Sequence, residues 1–229
     1  MTNRRAMGMV IGIVAMAWAL VAIAASGGGP GLAPDEALQK LMTGNKRFVQ
    51  SQIKHRSLTI KEAREKLVRG QKPYAIILSC SDSRVPPEIV FDETLGQLFV
   101  VRVAGNVADP VVLGSIEYAV SHLGSSLIMV LGHEACGAVT AAMDATGKTE
   151  GNIAAILEAV MPAVQNVRDT MEGRNRADQV EAAIDRNIDL QTENLTRQSS
   201  IIKDYVSRGK VKIAKGKYYL HHGEVALLK

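Results

Sequence analysis

The sequence predicts an α/β fold, with a mostly parallel central β-sheet flanked by helices and an N-terminal helical arm. Three observations predict it. Residues 74–79 (YAIILS), 98–103 (LFVVRV) and 126–131 (SLIMVL) are continuous apolar runs of strand length. Such runs suit central strands of a parallel sheet, which are buried on both faces. Between the second and third lies PVVLGSIEYAVSHL, of helical length and pattern, and alternating strands and helices build α/β folds.

The 229 residues, 47% of them hydrophobic, are enough for one well-buried core and a little long for two. The first 25 residues are a different material. Arg4 and Arg5 precede an uncharged apolar run from Ala6 to Ala25, followed by Ser26 and three glycines. Positive start, apolar middle and small-residue end are the order of a secretory signal, with cleavage expected after Ala24 or Ala25. The alternative is an uncleaved anchor, since about 20 apolar residues can span a bilayer. The protein is therefore expected in the periplasm or secreted, and at a membrane only if residues 6–25 stay attached. Residues 26–34, with GGGPGLAP, read as a flexible linker, and residues 35–229 as the folded domain.

Asp35 and Glu36 open a helix with apolar positions at Leu38, Leu41, Met42, Phe48 and Val49. Thr59 and Glu62 form a capping box for a second, short helix ending at Gly70. After the three strands the chain turns helical. Residues 138–147 are one piece and 153–171 a second, interrupted near Pro162. Residues 178–205 read as one long amphipathic stretch carrying Ile184, Ile188, Leu195, Ile201 and Ile202. Two extended pieces close the chain: VKIA, and YYLHHGEVALL as a hairpin-like end.

The net charge of +4 does not point to nucleic acid. Without Arg4 and Arg5, 25 basic residues face 23 acidic ones. No Lys/Arg block tracks phosphates, and few aromatics are present to stack bases.

The chemistry concentrates at two strand ends. Cys80 follows the first run in SCSDSRVPPE, and His133 and Cys136 follow the third in LGHEACGAV. Open α/β sheets place their sites at strand C-terminal ends. A polar cluster directly after a buried strand is costly unless it has a role. An extended segment aims Cys80, Asp82 and Arg84 to one side. Cys136, at an expected helix start, sits where a thiol pKa falls, and the thiolate is the metal ligand. Cys80 and Cys136 are the only cysteines, so a disulfide between them is the competing reading. Three N/S ligands without an obvious fourth is the pattern of catalytic zinc, which keeps a position for water. A closed site with Asp82 as fourth ligand is the other arrangement. Arg84, by pairing with Asp82, would hold the carboxylate beside the metal instead.

The motifs CSDSRVPPE, VVRVAGN, GSIEYA and GHEACGAV, in that order, resemble the β-class carbonic anhydrases from about Asp35 to the C-terminus. The resemblance implies the β-carbonic anhydrase fold and one Zn²⁺ per subunit on Cys80, His133 and Cys136, with Asp82 and Arg84 as the catalytic dyad. It implies reversible hydration of carbon dioxide to bicarbonate and a proton by attack of zinc-bound hydroxide. Gln71 matches the glutamine that hydrogen-bonds substrate in the plant-like, open-site subtype. Phe99, Ala104 and Tyr118 match the apolar wall, and Gly137 the backbone N–H that faces substrate. Ala104 stands where the family has a branched residue, which widens the pocket slightly. Ile77 stands where the bicarbonate-regulated subtype carries tryptophan, and so favours the open site. The family also implies a homodimer or dimer-based oligomer, with N-terminal helices wrapping a partner and Tyr118 or Gln71 completing the neighbour's site.

His122 is expected near a helix end, His221 and His222 in a solvated turn away from the cluster, and His55 in a polar loop. Arg102 and Asn106 either reinforce the site or only position the loop. Two rival functions share the ligands: a zinc lyase or hydrolase acting on carbonyl sulfide or carbon disulfide, and a non-catalytic zinc module.

Overall fold

The structure, a computed structural model, describes residues 31–54, 61–147 and 149–229. The expected signal or anchor segment, most of the linker, His55 and Thr59 lie outside the described residues. Among those described, no helix is long and apolar enough to cross a membrane.

Helices α1 (Pro34–Val49) and α2 (Lys61–Leu67) lead into β1 (Ala75–Ser79). The short α3 (Pro87–Val90) connects β1 to β2 (Leu98–Arg102). α4 (Pro110–Tyr118), whose first turn is capped by the Asp109 carboxylate, continues as a wider π turn over Ala119–Leu123 and leads to β3 (Leu127–His133). Helices α5 (Gly137–Asp144), α6 (Ile153–Thr170), α7 (Arg176–Gln198) and α8 (Ser200–Ser207) follow, then β4 (Lys212–Tyr218) and β5 (Val225–Leu227).

The sheet order is β2-β1-β3-β4-β5. The first four strands are parallel and β5 is antiparallel to β4. Every residue of β1 and β3 is buried, as their unbroken apolar runs predict. Alternation divides those runs between two cores. Ile76, Leu78, Ile128 and Val130 face the side covered by α4 to α8, and Ala75, Ile77, Leu127 and Met129 face the side covered by α1 and α3. From β1 the chain first steps outward to β2, then returns to place β3 on β1's other flank. That reversal opens a crevice at the C-terminal ends of β1 and β3, where such sheets hold their ligands.

α1 docks on its own sheet. Asn45, buried on α1, donates to the carbonyls of Val90 and Gly223 and accepts from the Val225 N–H. Gly44 permits the close approach, because a β-carbon there would lie 1.9 Å from the Phe91 carbonyl oxygen. Gly44→Ala is therefore expected to destabilise the protein by at least ~1–3 kcal/mol, read as a lowered thermal midpoint. By contrast, α2 buries none of its residues.

Three readings of the later chain are corrected. α6 runs unbroken through Pro162. Pro162 and Glu158 are both exposed, so the Glu158 carbonyl that loses its helical partner faces water. The stretch expected as one helix is two, because Ser199 is extended (φ −120°, ψ 111°) and its hydroxyl caps α8 by accepting from the Ile202 N–H. β4 continues past VKIA to Tyr218. Lys217 interrupts the apolar pattern, yet it is buried, with Nζ 2.8 Å from carboxylate oxygens of both Glu181 and Asp185.

Candidate metal centre and active site

Cys80 is the first residue beyond β1, and His133 is the last of β3. The chain then turns through Ala135, held at φ +50°, so that Cys136 caps the start of α5. The ligand atoms of Cys80, His133 and Cys136 lie within 4.8 Å of one another, and all three residues are buried. Both cysteines are free thiols, so the disulfide alternative is not what the structure shows.

The donor set fits a zinc ion. His133 Nδ1 is 2.9 Å from the Glu134 carbonyl oxygen. A carbonyl only accepts, so Nδ1 carries the proton and Nε2 presents a lone pair. That Nε2 is buried without a hydrogen-bond partner among the described residues. A buried polar atom without a partner calls for an explanation, and a metal supplies one. The thiols add the second argument. The Cys136 thiol and the N–H groups of Gly105 and Asp82 hold the Cys80 pKa down, against the opposing effect of burial. The Cys136 pKa is pushed up by the Cys80 sulfur and by burial. The protein alone thus stabilises one thiolate of the pair, and a dication at the centre of the cluster would let both ionise.

Asp82 and Arg84 form the expected dyad. Arg84 Nε donates to Oδ1 at 2.9 Å and Nη2 to Oδ2 at 2.7 Å, and the Arg84 backbone N–H adds a bond to Oδ1 at 2.9 Å. The Arg84 hydrogen bonds hold the Asp82 carboxyl well below the usual carboxylate range. Its Oδ2 stands 3.9 Å from His133 Nε2, beside the cluster and beyond hydrogen-bond reach. Arg102 holds the backbone of this loop, with Nε donating to the Cys80 carbonyl at 3.0 Å and Nη2 to the Asp82 carbonyl at 2.6 Å. Asn106 is buried in a left-handed turn (φ +44°), and its Nδ2 has no hydrogen-bond partner among the described residues.

The pocket residues divide. Ala104 lies in the turn after β2, next to Gly105, whose N–H reaches Cys80 Sγ at 3.4 Å. Gly137 follows Cys136 and has open space where a β-carbon would stand. Phe99 and Tyr118 pair with ring centroids 6.4 Å apart, but they sit by the edge strand. Phe99 is opposite Ile76, three positions back from the Ser79–Arg102 pair at the metal end. Gln71 is exposed ahead of β1, whereas Cys80 follows it. At roughly 3.3 Å per strand residue, more than ~15 Å separates the two within one chain. The His122 ring lies tilted against Tyr118 with centroids 5.2 Å apart, and the exposed His221 donates its backbone N–H to the carboxylate of Glu134, next to His133.

Sequence reasoning missed the supports on α7. Glu181 accepts the Ala135 N–H at 2.9 Å and so fixes the turn between His133 and Cys136. Asn187, Gln191 and Asn194 are buried amides on the apolar face of α7. Their spacing among Ile184, Ile188 and Leu195 was a readable signal: polar residues on a core face need partners.

Comparison with known proteins agrees with this geometry. A family model described as carbonic anhydrase matches residues 75–225. Carbonic anhydrase 2 of Mycobacterium tuberculosis is 41% identical over 201 residues, covering 86% of this chain and 94% of that protein. The carbonic anhydrase of Mycolicibacterium smegmatis is also 41% identical, over 86% of this chain and 95% of its own. Among solved structures, Coccomyxa β-carbonic anhydrase superposes with a TM-score of 0.69 at 26% identity, covering 83% of this chain and 86% of that one. The β-carbonic anhydrase CcaA does so with 0.69 at 27%, over 84% and 95%.

Proposed function

Since the chain belongs to the β-class carbonic anhydrase family, whose reaction is carbon dioxide hydration, we propose that it works at a zinc ion held by Cys80, His133 and Cys136 with a fourth position open to water. The observation that carries the open reading is the Asp82 carboxylate, bound at both oxygens by Arg84 and held off the metal cluster. Ile77 in β1, where the regulated subtype has tryptophan, supports the same assignment to the plant-like subtype.

Zinc, when bound, lowers the pKa of a coordinated water to about 7. Asp82, anionic throughout the working range, is placed beside the cluster where it would accept a hydrogen bond from such a water and orient it. Arg84 fixes the carboxylate, and Arg102 fixes the loop that carries it. The apolar side chain of Ala104 suits a substrate with no charge, and the Gly137 N–H can meet negative charge growing on a substrate oxygen. Gln71, Phe99 and Tyr118 serve the pocket through assembly: from a second subunit they would reach a site that, at least for Gln71, is out of range within one chain. A homodimer or larger dimer-based oligomer follows, and the Sordaria macrospora β-carbonic anhydrases of like fold are tetrameric.

Stopped-flow hydration of carbon dioxide, with zinc counted in the same sample, tests this. One zinc per subunit and saturable turnover are expected. Faster turnover of carbonyl sulfide or carbon disulfide than of carbon dioxide would redirect the substrate assignment. An absorption edge showing carboxylate bound to zinc at every pH would identify a closed module.

We propose that the protein is periplasmic or secreted, or anchored by residues 6–25. Trp18 is the only tryptophan. Protein recovered from the native host is thus expected to show tyrosine emission alone, and tryptophan emission from a membrane fraction would identify the anchored form.

A further inference from the structure

We infer that Asn187 is a positioning residue for the metal centre, acting through Gly105 on Cys80. Its side-chain Nδ2 donates to the Gly105 carbonyl at 2.9 Å. The N–H of that same residue donates to Cys80 Sγ at 3.4 Å. Gly105 is thereby pinned on both sides, by the helix at its carbonyl and by the thiolate at its N–H. Its conformation needs pinning, because φ is +69° in a turn of only three residues. Glycine is the residue that accepts this conformation, and it is also the most mobile when unrestrained.

The pin is itself braced. Gln191 Nε2 donates to Asn187 Oδ1 at 3.0 Å, while Gln191 Oε1 accepts the Ala108 N–H at 3.0 Å and Asn194 Nδ2 at 3.2 Å. Arg197 closes the chain on Asn194 Oδ1. One row of amides on α7 thus grips the 104–108 segment at both ends. Asn187 and Gln191 are at most 1% exposed. Leucine and methionine would fill that space without burying a side-chain amide but would leave the Gly105 carbonyl and the Ala108 N–H unpaired, so the polar row holds the 104–108 segment and is more than packing. Its return is a fixed N–H aimed at a sulfur, which stabilises the thiolate and orients its remaining lone pairs. Partners of this kind tune metal sites by ~10–100-fold when removed.

The inference rests on the zinc assignment above, and the experiment separates the two. Asn187→Asp keeps the shape and still accepts from Gln191, but it cannot donate to Gly105. Val180→Ala, elsewhere in the buried face of α7, is the control for stability alone. Zinc release to a chromophoric chelator and the sulfur-to-cobalt charge-transfer band of the cobalt-substituted protein are measured with the thermal midpoint. Asn187→Asp is expected to release zinc at least ~10-fold faster and to shift the band. Val180→Ala should leave both unchanged even where it melts lower. Wild-type release and an unmoved band in Asn187→Asp would overturn the inference, as would equal changes in Val180→Ala. If Asn187→Asp does not fold, Gln191→Met removes the brace, and the same readouts decide. A wild-type protein without zinc would overturn the metal assignment and this inference with it.

Discussion

Cys136→Ala protein is expected to purify without zinc and to hydrate carbon dioxide no faster than buffer. The substitution removes one of three protein donors, leaving Cys80 and His133. Two donors do not make the three-ligand set of a catalytic zinc site. The fold should survive, because Cys136 is an N-cap whose side chain makes no capping bond and α5 begins at Gly137. Metal counting beside circular dichroism checks both halves. A full equivalent of zinc in this variant would mean that Cys136 is not a ligand. The metal-free wild-type protein makes the natural reference, since it too lacks the ion while retaining both sulfurs.

Asp82→Asn should show the opposite split: zinc retained, hydration reduced by ~10²–10³-fold. Asparagine keeps the size of the side chain but presents an N–H₂ group to an arginine that has only donors. Either the amide oxygen faces Arg84 and the N–H₂ faces the water, or the pair comes apart. Both outcomes remove the anionic acceptor beside the cluster. The depressed Asp82 pKa also sets a sign. A carboxylate held low by a cation adds stability that is present above its unfolded value of about 3.9 and lost as pH falls through the lower folded value. Hence any activity midpoint near neutrality belongs to another group, and the variant's loss of stability relative to wild type should be full at neutral pH and should shrink as pH falls below about 3.9. Full activity in Asp82→Asn, or absence of zinc, would remove the dyad from the mechanism.

The sequence exposed Cys80, His133 and Cys136 because each is placed by local rules: a strand that ends, a turn, a helix that starts. Asp82 and Arg84 were equally legible, being two residues apart in one loop, although a turn closed by the Val85 N–H on the Asp82 carbonyl, and not an extended segment, brings them together. What could not be read depends on partners far along the chain. β4 was cut short because Lys215 and Lys217 break its apolar pattern. Lys217 is nevertheless buried, since Glu181 and Asp185 of α7 lie across from it. The break at Ser199 was hidden for a similar reason: its hydroxyl donates to Glu117, 82 positions earlier. Family likeness placed Gln71, Phe99 and Tyr118 in the pocket, yet a single chain holds Gln71 at the far end of β1 from Cys80. Composition carries no record of which face of one copy meets another.

The proton on His133 Nδ1 rests on a main-chain oxygen, that of Glu134. Every amino acid brings that oxygen, so drift at position 134 leaves the imidazole's tautomer untouched. Histidine ligands steadied by an aspartate or glutamate side chain lack this protection. Saturation mutagenesis should therefore find position 133 intolerant and its neighbour permissive for metal retention. Evolution can then use the side chain at 134 for other duties, such as its present bond to the His221 loop, without disturbing the ligand next door.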